Sequence, residues 1–211
     1  AARADGPSLS GRLVQRLPGV NLYSQYPTWA GGRWHFSGSL YDGYRPGPTR
    51  VIDPAGRLRV VVTLGTTESY GFRRALERLV AILPPDADVL WQTGATDVAG
   101  LPIAAHATVP ADDLASAVSS ADVVVAHSGT GSAITAMDAG KCAVLLPRRR
   151  TYREHVDDHQ TQIADELDRR GLAIRCEVED LTADTLRRAR ERSVETVSNP
   201  EAFRLLRDPI S

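Results

Sequence analysis

From about residue 58 onward, short runs of β-branched and aliphatic residues alternate with segments whose apolar positions recur every three or four residues. A strand covered on both faces reads as an unbroken apolar run, and a helix lying on a sheet reads as a 3.6-residue stripe. Their regular alternation predicts an α/β fold, a parallel sheet with crossover helices. The first unit is the run 60–64, then Gly65, then a helix carrying Phe72, Ala75, Leu76, Leu79, Val80 and Leu83 and stopped by Pro84 and Pro85. Strands follow at 89–91 and near 107–109, and a helix capped at Asp112 or Asp113 carries Leu114, Ala117 and Val118. The strand 122–126 leads into a helix through Ile134 and Met137 that ends at Gly140. After the strand 142–146 come a helix through Ile163, Ala164 and Leu167 ending at Gly171, a strand near 172–176, and an arginine-rich helix from about 182 to 196.

Residues 1–57 differ. They hold 7 of the 12 aromatics, 9 of the 17 glycines and 6 of the 13 prolines, which breaks any sustained helical period after about Leu17. Short strands fit at 20–26 and 34–41, separated by Pro and Gly in a linker-like region. The expected organisation is therefore 1–57, a domain at 58–198, and a tail or short helix at 199–211.

Charge and composition remove several functions. With 25 Lys+Arg against 26 Asp+Glu the formal net charge is -1, which argues against a nucleic-acid partner. The longest apolar runs fall far short of the ~20 residues that span a bilayer. Cys142 and Cys176 show neither metal-ligand spacing nor the density of a secreted scaffold, so a reducing, cytoplasmic compartment is expected. The sequence opens on Ala1 and its one methionine is Met137, so a fragment or processed product is expected. Lys141 stands beside 24 arginines, which reads as genomic base composition.

Ligands of open parallel sheets bind beyond the carboxyl ends of the strands, so three loops were the candidates for chemistry. The first, 63–67, supplies Gly65 and hydroxyls. The second, 127–132, places His127, Ser128, Gly129, Thr130, Gly131 and Ser132 at the start of a helix. Unpaired amides, the positive end of the helix dipole and glycines that admit a ligand's oxygens make it a phosphate or diphosphate cradle. Its plainer reading is a tight turn capped by Ser132 or Thr130. The third loop, 148–160, holds four arginines and two histidines. Asp157 with Gln160 matches a capping box. The run 148–150 suits solvated surface, a leaving-group clamp or a contact to anionic lipid. Arg187, Arg188, Arg190 and Arg192, interleaved with Glu191 and Glu195, read as an exposed helix face.

The stretch HSGTGSAITAMDAGKCAVLLPRRRTYREHVDDHQ, preceded by TLGT at 63–66, resembles the donor-binding signature of the C-terminal domain of glycosyltransferase family 28. The likeness is greatest to the branch that holds the catalytic subunit of the dolichol-pathway N-acetylglucosaminyltransferase and bacterial exopolysaccharide glycosyltransferases. It covers residues 58–197 and has three motifs in order. The resemblance implies a Rossmann-like domain, the C-terminal half of a two-domain GT-B architecture, binding a UDP-sugar without a required metal or other cofactor. It implies that residues 1–57 are a linker and the tail of a missing N-terminal acceptor domain. By the same resemblance Gly65 and Thr66 face the donor phosphates or the interdomain cleft, the turn from His127 to Ser132 holds the diphosphate, and Asp158, His159 and Gln160 lie near the sugar hydroxyls. Relatives carry an acidic residue for the ribose where this chain has Thr135; Asp138, three residues on, shares that helix face.

Other chemistries fit less well. Ile134 stands where a dinucleotide G-x-G-x-x-G needs its third glycine, Ala126 and Thr130 stand where a hydrolase elbow needs glycines, and Lys141 lies at the end of a helix rather than in a Walker loop. The function expected is that of an inverting hexosyltransferase fragment, inactive alone, moving N-acetylglucosamine from UDP to an acceptor glycan or lipid-linked sugar. The site residues are His127 for the leaving group, His155 or His159 as base or plain hydrogen-bonding group, and Arg148 at the donor. The partners are the acceptor domain or a partner subunit, with a cytoplasmic location, peripheral at the membrane through the missing half. The alternatives are a non-catalytic nucleotide-sugar-binding or docking domain and a sugar-nucleotide epimerase of the same architecture.

Overall fold

The computed structural model describes residues 6–7, 9–27, 30–52, 56–66, 69–156, 159–200, 203 and 205. The chain divides into two compact units, residues 1–44 with 197–211, and residues 45–196. In the first, helix α1 (Leu9–Val14) precedes two short strands, β1 (Leu22–Ser24) and β2 (Trp34–Phe36), which pair in parallel. The 34–41 segment is a strand only at its start. Residues 40–43 form a 3-10 turn instead, because Ser39 and Asp42 cap it reciprocally, Asp42 accepting the Ser39 amide at 2.7 Å.

The second unit takes in Arg45 and Pro46, the end of β3 (Tyr44–Pro46), which belong to a two-stranded sheet with a strand named below. Its centre is six parallel strands: β4 (Arg59–Thr63), β5 (Asp88–Gln92), β6 (Ala105–His106), β7 (Val123–His127), β8 (Ala143–Leu146) and β9 (Ala173–Arg175). Helices α2 (Arg73–Ile82), α3 (Ala111–Ser120), α4 (Thr130–Asp138), α5 (His159–Arg169) and α6 (Ala183–Glu191) connect or flank them. Val60, Val62, Val125, Val144 and Leu145 are buried, as strands covered on both faces require. Leu76 and Leu79 of α2, with Ile163 and Leu167 of α5, supply the helical side of the core. The strand order is β6-β5-β4-β7-β8-β9, with Val62 opposite Val125 and Val125 opposite Val144. Chain direction across the sheet therefore reverses between β4 and β7. A crevice opens at such a switch point, beyond the carboxyl ends of the two strands.

Three boundaries differ from the sequence reading. The strand expected near 107–109 lies at Ala105–His106, because Val109 gives its amide to the Gln92 side chain at 3.1 Å rather than to a ladder. Helix α3 starts after Pro110, with no side-chain cap, and Asp112 and Asp113 sit in its first turn, where they complement the helix dipole. The last helix stops at Glu191. Val194 is buried and donates to the Gly140 carbonyl at 3.2 Å, and β10 (Val194–Thr196) is the strand that pairs with β3. No helix among the described residues is long and apolar enough to cross a membrane.

Candidate functional site

The crevice between β4 and β7 encloses about 300 Å³ and is walled by the ends of three strands, two loops and two helices, including Thr63, Gly65, Thr66, Gln92, His127, Gly129, Gly131, Ser132 and Thr135. One side is the start of α4. Gly129 occupies the cap position with extended backbone, and no side chain caps the helix. The first intrahelical bond runs from the Ala133 amide to the Gly129 carbonyl at 3.1 Å, so the amides of Thr130, Gly131 and Ser132 lie ahead of the helical ladder. Three consecutive donors at the positive end of a helix favour an anion.

His127 closes the other side. Its Nδ1 lies 3.4 Å from the Thr63 carbonyl oxygen, which can only accept, so the ring proton is on Nδ1. The ring rests against two glycines. A Cβ on Gly65 would come within 2.8 Å of the imidazole, and a Cβ on Gly129 would collide with it outright. Gly65 has φ +77°, and Gly94, with φ +60°, packs so closely on the Gly65 carbonyl that a side chain there would also collide. These glycines admit an imidazole between them; Gly131 also lines the crevice, is exposed, and a Cβ there would meet nothing within 4 Å. Burial first, then the neighbouring Arg148 and more weakly His155 and His159, push the His127 pKa down to about 4 against the opposing pull of the Thr63 carbonyl. The ring is neutral at pH 7.

The remaining expected site residues fall into three groups. Thr135 lines the crevice, with its hydroxyl donating to the Gly131 carbonyl at 3.0 Å, whereas Asp138 is exposed one turn further along and does not line it. His155 and His159 stand together half-buried, their rings edge to face at 4.7 Å, with Tyr70 stacked on His155 at 5.9 Å. Thr130 is part-buried at the first helical position. Ser128 is closed off instead, 0% exposed, with its hydroxyl buried and unpartnered. Asp158, like Asp157 and Thr67, lies outside the described residues.

The arginine-rich loop is built differently from its sequence reading. Arg148 is neither solvated nor open to a ligand: it is 1% exposed and donates from Nη2 to the Leu64 carbonyl at 2.6 Å. The buried Gln160 side chain accepts the Arg148 amide at 3.1 Å; Asp157, its capping-box partner in the sequence, lies outside the described residues. Arg149 pairs with Glu177 and bonds the Thr161 hydroxyl at 2.8 Å. Glu154, also buried, takes both Nε and Nη2 of Arg74 at 2.6 and 3.0 Å and the Arg149 amide at 3.0 Å. Sequence reading missed Arg74, Gln92 and Gly94. Their partners lie in loops far along the chain, and of the three only Gly94 carries a local signal, a glycine directly after a strand.

The description Glycosyltransferase family 28 C-terminal domain matches residues 59–205. A protein of Burkholderia mallei (strain SAVP1), named UDP-N-acetylglucosamine--N-acetylmuramyl-(pentapeptide) pyrophosphoryl-undecaprenol N-acetylglucosamine transferase, is 32% identical over 154 residues, which is 67% of this chain and 41% of that protein. A protein of the same name from Dichelobacter nodosus (strain VCS1703A) is 34% identical over 141 residues, 63% of this chain and 38% of its own length. The chain thus spans about two-fifths of these relatives. The crystal structure of Acinetobacter baumannii MurG superposes with a TM-score of 0.56 at 20% identity, covering 89% of this chain and 55% of that one, a likeness of fold.

Proposed function

The chain belongs to the glycosyltransferase family 28 C-terminal domains, and from that premise we propose that it is the donor-binding half of an inverting glycosyltransferase that moves N-acetylglucosamine from UDP to an acceptor hydroxyl. The observation that carries this reading is the crevice at the β4–β7 switch point, bordered by the uncapped start of α4, the His127 imidazole and the exposed Gly131. The relatives' names supply the sugar and point to a lipid-linked acceptor.

As the bond from the anomeric carbon to the diphosphate stretches, negative charge gathers on the leaving oxygens while the carbon becomes cationic. Amides already aimed at those oxygens need no reorganisation as the charge grows, and one donor of this kind is worth about 3 to 4 kcal/mol in a transition state. His127 starts neutral. A diphosphate beside it favours the charged imidazole, so a proton taken up at Nε2 turns the ring from acceptor into a second donor. These donors meet the diphosphate charge, and the reading assigns no metal to it. Removal of the acceptor proton belongs in this reading to a domain or subunit that holds the acceptor, in keeping with the share of the relatives that the chain spans.

Calorimetry with UDP-N-acetylglucosamine tests the reading. Saturable one-to-one binding, lost in a folded Gly131→Val variant, is the expected result, with slight transfer by this chain alone. Absence of binding by UDP and by every UDP-sugar overturns it, and robust transfer by the chain alone contradicts the assignment of the acceptor to another domain.

A further inference from the structure

A buried guanidinium is costly unless it is fully paired. Arg148 is not: its Nε is buried and has no partner, the nearest carboxylate acting on it is Glu154, and both oxygens of that group already serve Arg74. The Phe72 ring stacks at 5.7 Å from the guanidinium carbon, and the residue does not line the crevice. What it grips is the Leu64 carbonyl. The Leu64 amide in turn donates to the Gln92 carbonyl at 2.9 Å, and the next residue, Gly65, is pinned between Gly94 and the His127 ring. The guanidinium is therefore one anchor of the turn that roofs the imidazole. Because Nδ1 is committed to Thr63, Nε2 carries the lone pair, and it lies between Gly65 and Gly129, both of which wall the crevice.

We propose that Arg148 is a positioning residue for this crevice: by anchoring the Leu64–Gly65 turn and by its charge, it keeps the His127 imidazole neutral, with its proton on Nδ1 and Nε2 bare, until an anionic ligand arrives. Among the described residues, the other titratable groups that act on His127 are His155 and His159, and both also disfavour its charged form. The inference rests on the donor-site reading only for its ligand; the state of the imidazole in the empty protein is independent of it.

Nitrogen-15 NMR of the His127 side chain, followed by pH titration of the whole chain, is the test. The wild type is expected to show the Nδ1–H form and to titrate near pH 4. Arg148→Gln removes a neighbouring positive charge and is expected to raise that midpoint by about one pH unit and to mix the two tautomers. Arg148→Lys keeps the charge and so the midpoint, but it loses the fixed guanidinium fork and with it the single tautomer. A folded Arg148→Gln protein with unchanged midpoint and tautomer overturns the proposal. Should that variant fail to fold, an Arg148→Lys protein with the wild-type tautomer overturns it equally. If the titrations come out as expected while the wild type binds no UDP-sugar, the donor-site reading fails and the role of Arg148 in shaping the empty crevice stands.

Discussion

The turn from His127 to Ser132 and the loop from Arg148 to Gln160 both follow central strands, and both look from their composition like anion sites. They are opposite in construction. The first leaves donors unspent: α4 has no side-chain cap, and Gly131 in its first turn is exposed. The second turns its charged groups inward on the protein, with Arg148 on Leu64, Arg149 on Glu177, and Glu154 holding Arg74 across 80 residues of sequence. Arginine chemistry is thus a weaker sign of a ligand than an uncapped helix start, because a guanidinium with five donors finds carbonyls and carboxylates within its own fold.

The contrast can be broken most forcefully at Glu154. If the second loop is held by its own charges, Glu154→Ala strands the Arg74 guanidinium and the Arg149 amide and should cost about 3 kcal/mol in urea unfolding; a loss below 1 kcal/mol would mean that the loop is fixed by something else. The next effect belongs to the first loop. His127→Ala should weaken UDP-N-acetylglucosamine binding by about 2 kcal/mol, the range of one hydrogen bond to a charged group, and calorimetry giving an unchanged affinity would remove the imidazole from the cradle. Gly131→Ala is a finer probe, since its Cβ meets nothing in the empty protein. Thermal unfolding should show stability unchanged or raised by about 0.5 to 1 kcal/mol, while nucleotide affinity falls; the two readouts moving down together would mark a merely structural glycine.

Acid separates stability from affinity, and this is the smallest effect. With a folded pKa of about 4 against an ordinary 6.5, His127 binds its proton more readily in the unfolded chain. Its contribution to stability is therefore complete above about pH 6.5 and is lost as the pH falls through that window toward 4. The diphosphate raises the folded pKa, so affinity should move the other way and tighten as the pH falls from 7.5 to 6, by less than about tenfold per pH unit. UDP-N-acetylglucosamine is the ligand to use, because its diphosphate has no ionisation near neutrality. His127→Gln should flatten both slopes, and slopes that persist in that variant belong to other groups.

How much of this was legible depended on the range of the forces. Runs such as Val60 to Val62 and Val123 to Val125 announce parallel strands because burial on both faces demands apolar residues at every position. The turn at His127 was legible because unpaired amides at a helix start are a local matter. Arg148 was not: nothing beside it in sequence says that Leu64 and Phe72 will enclose it, and a loop arginine taken alone reads as solvated. The same holds for Val194, whose pairing with the Gly140 carbonyl ends a helix that the local arginine and glutamate pattern would have continued. Nor does anything near Gln160 announce that its side chain accepts a backbone amide 12 residues away.

Gly94, Gly65, the His127 ring and Gly129 form a column without slack, contributed by three loops. A methyl group on any of its glycines strikes either the ring or the carbonyl beneath it, so these positions cannot drift one at a time. A lineage of such domains that gave up the imidazole would at once be free to clothe Gly129, while Gly65 would stay bound to glycine by its left-handed backbone, and one that clothed either first would have to surrender the imidazole. The identity of residue 127 should thus act as a ratchet on Gly129.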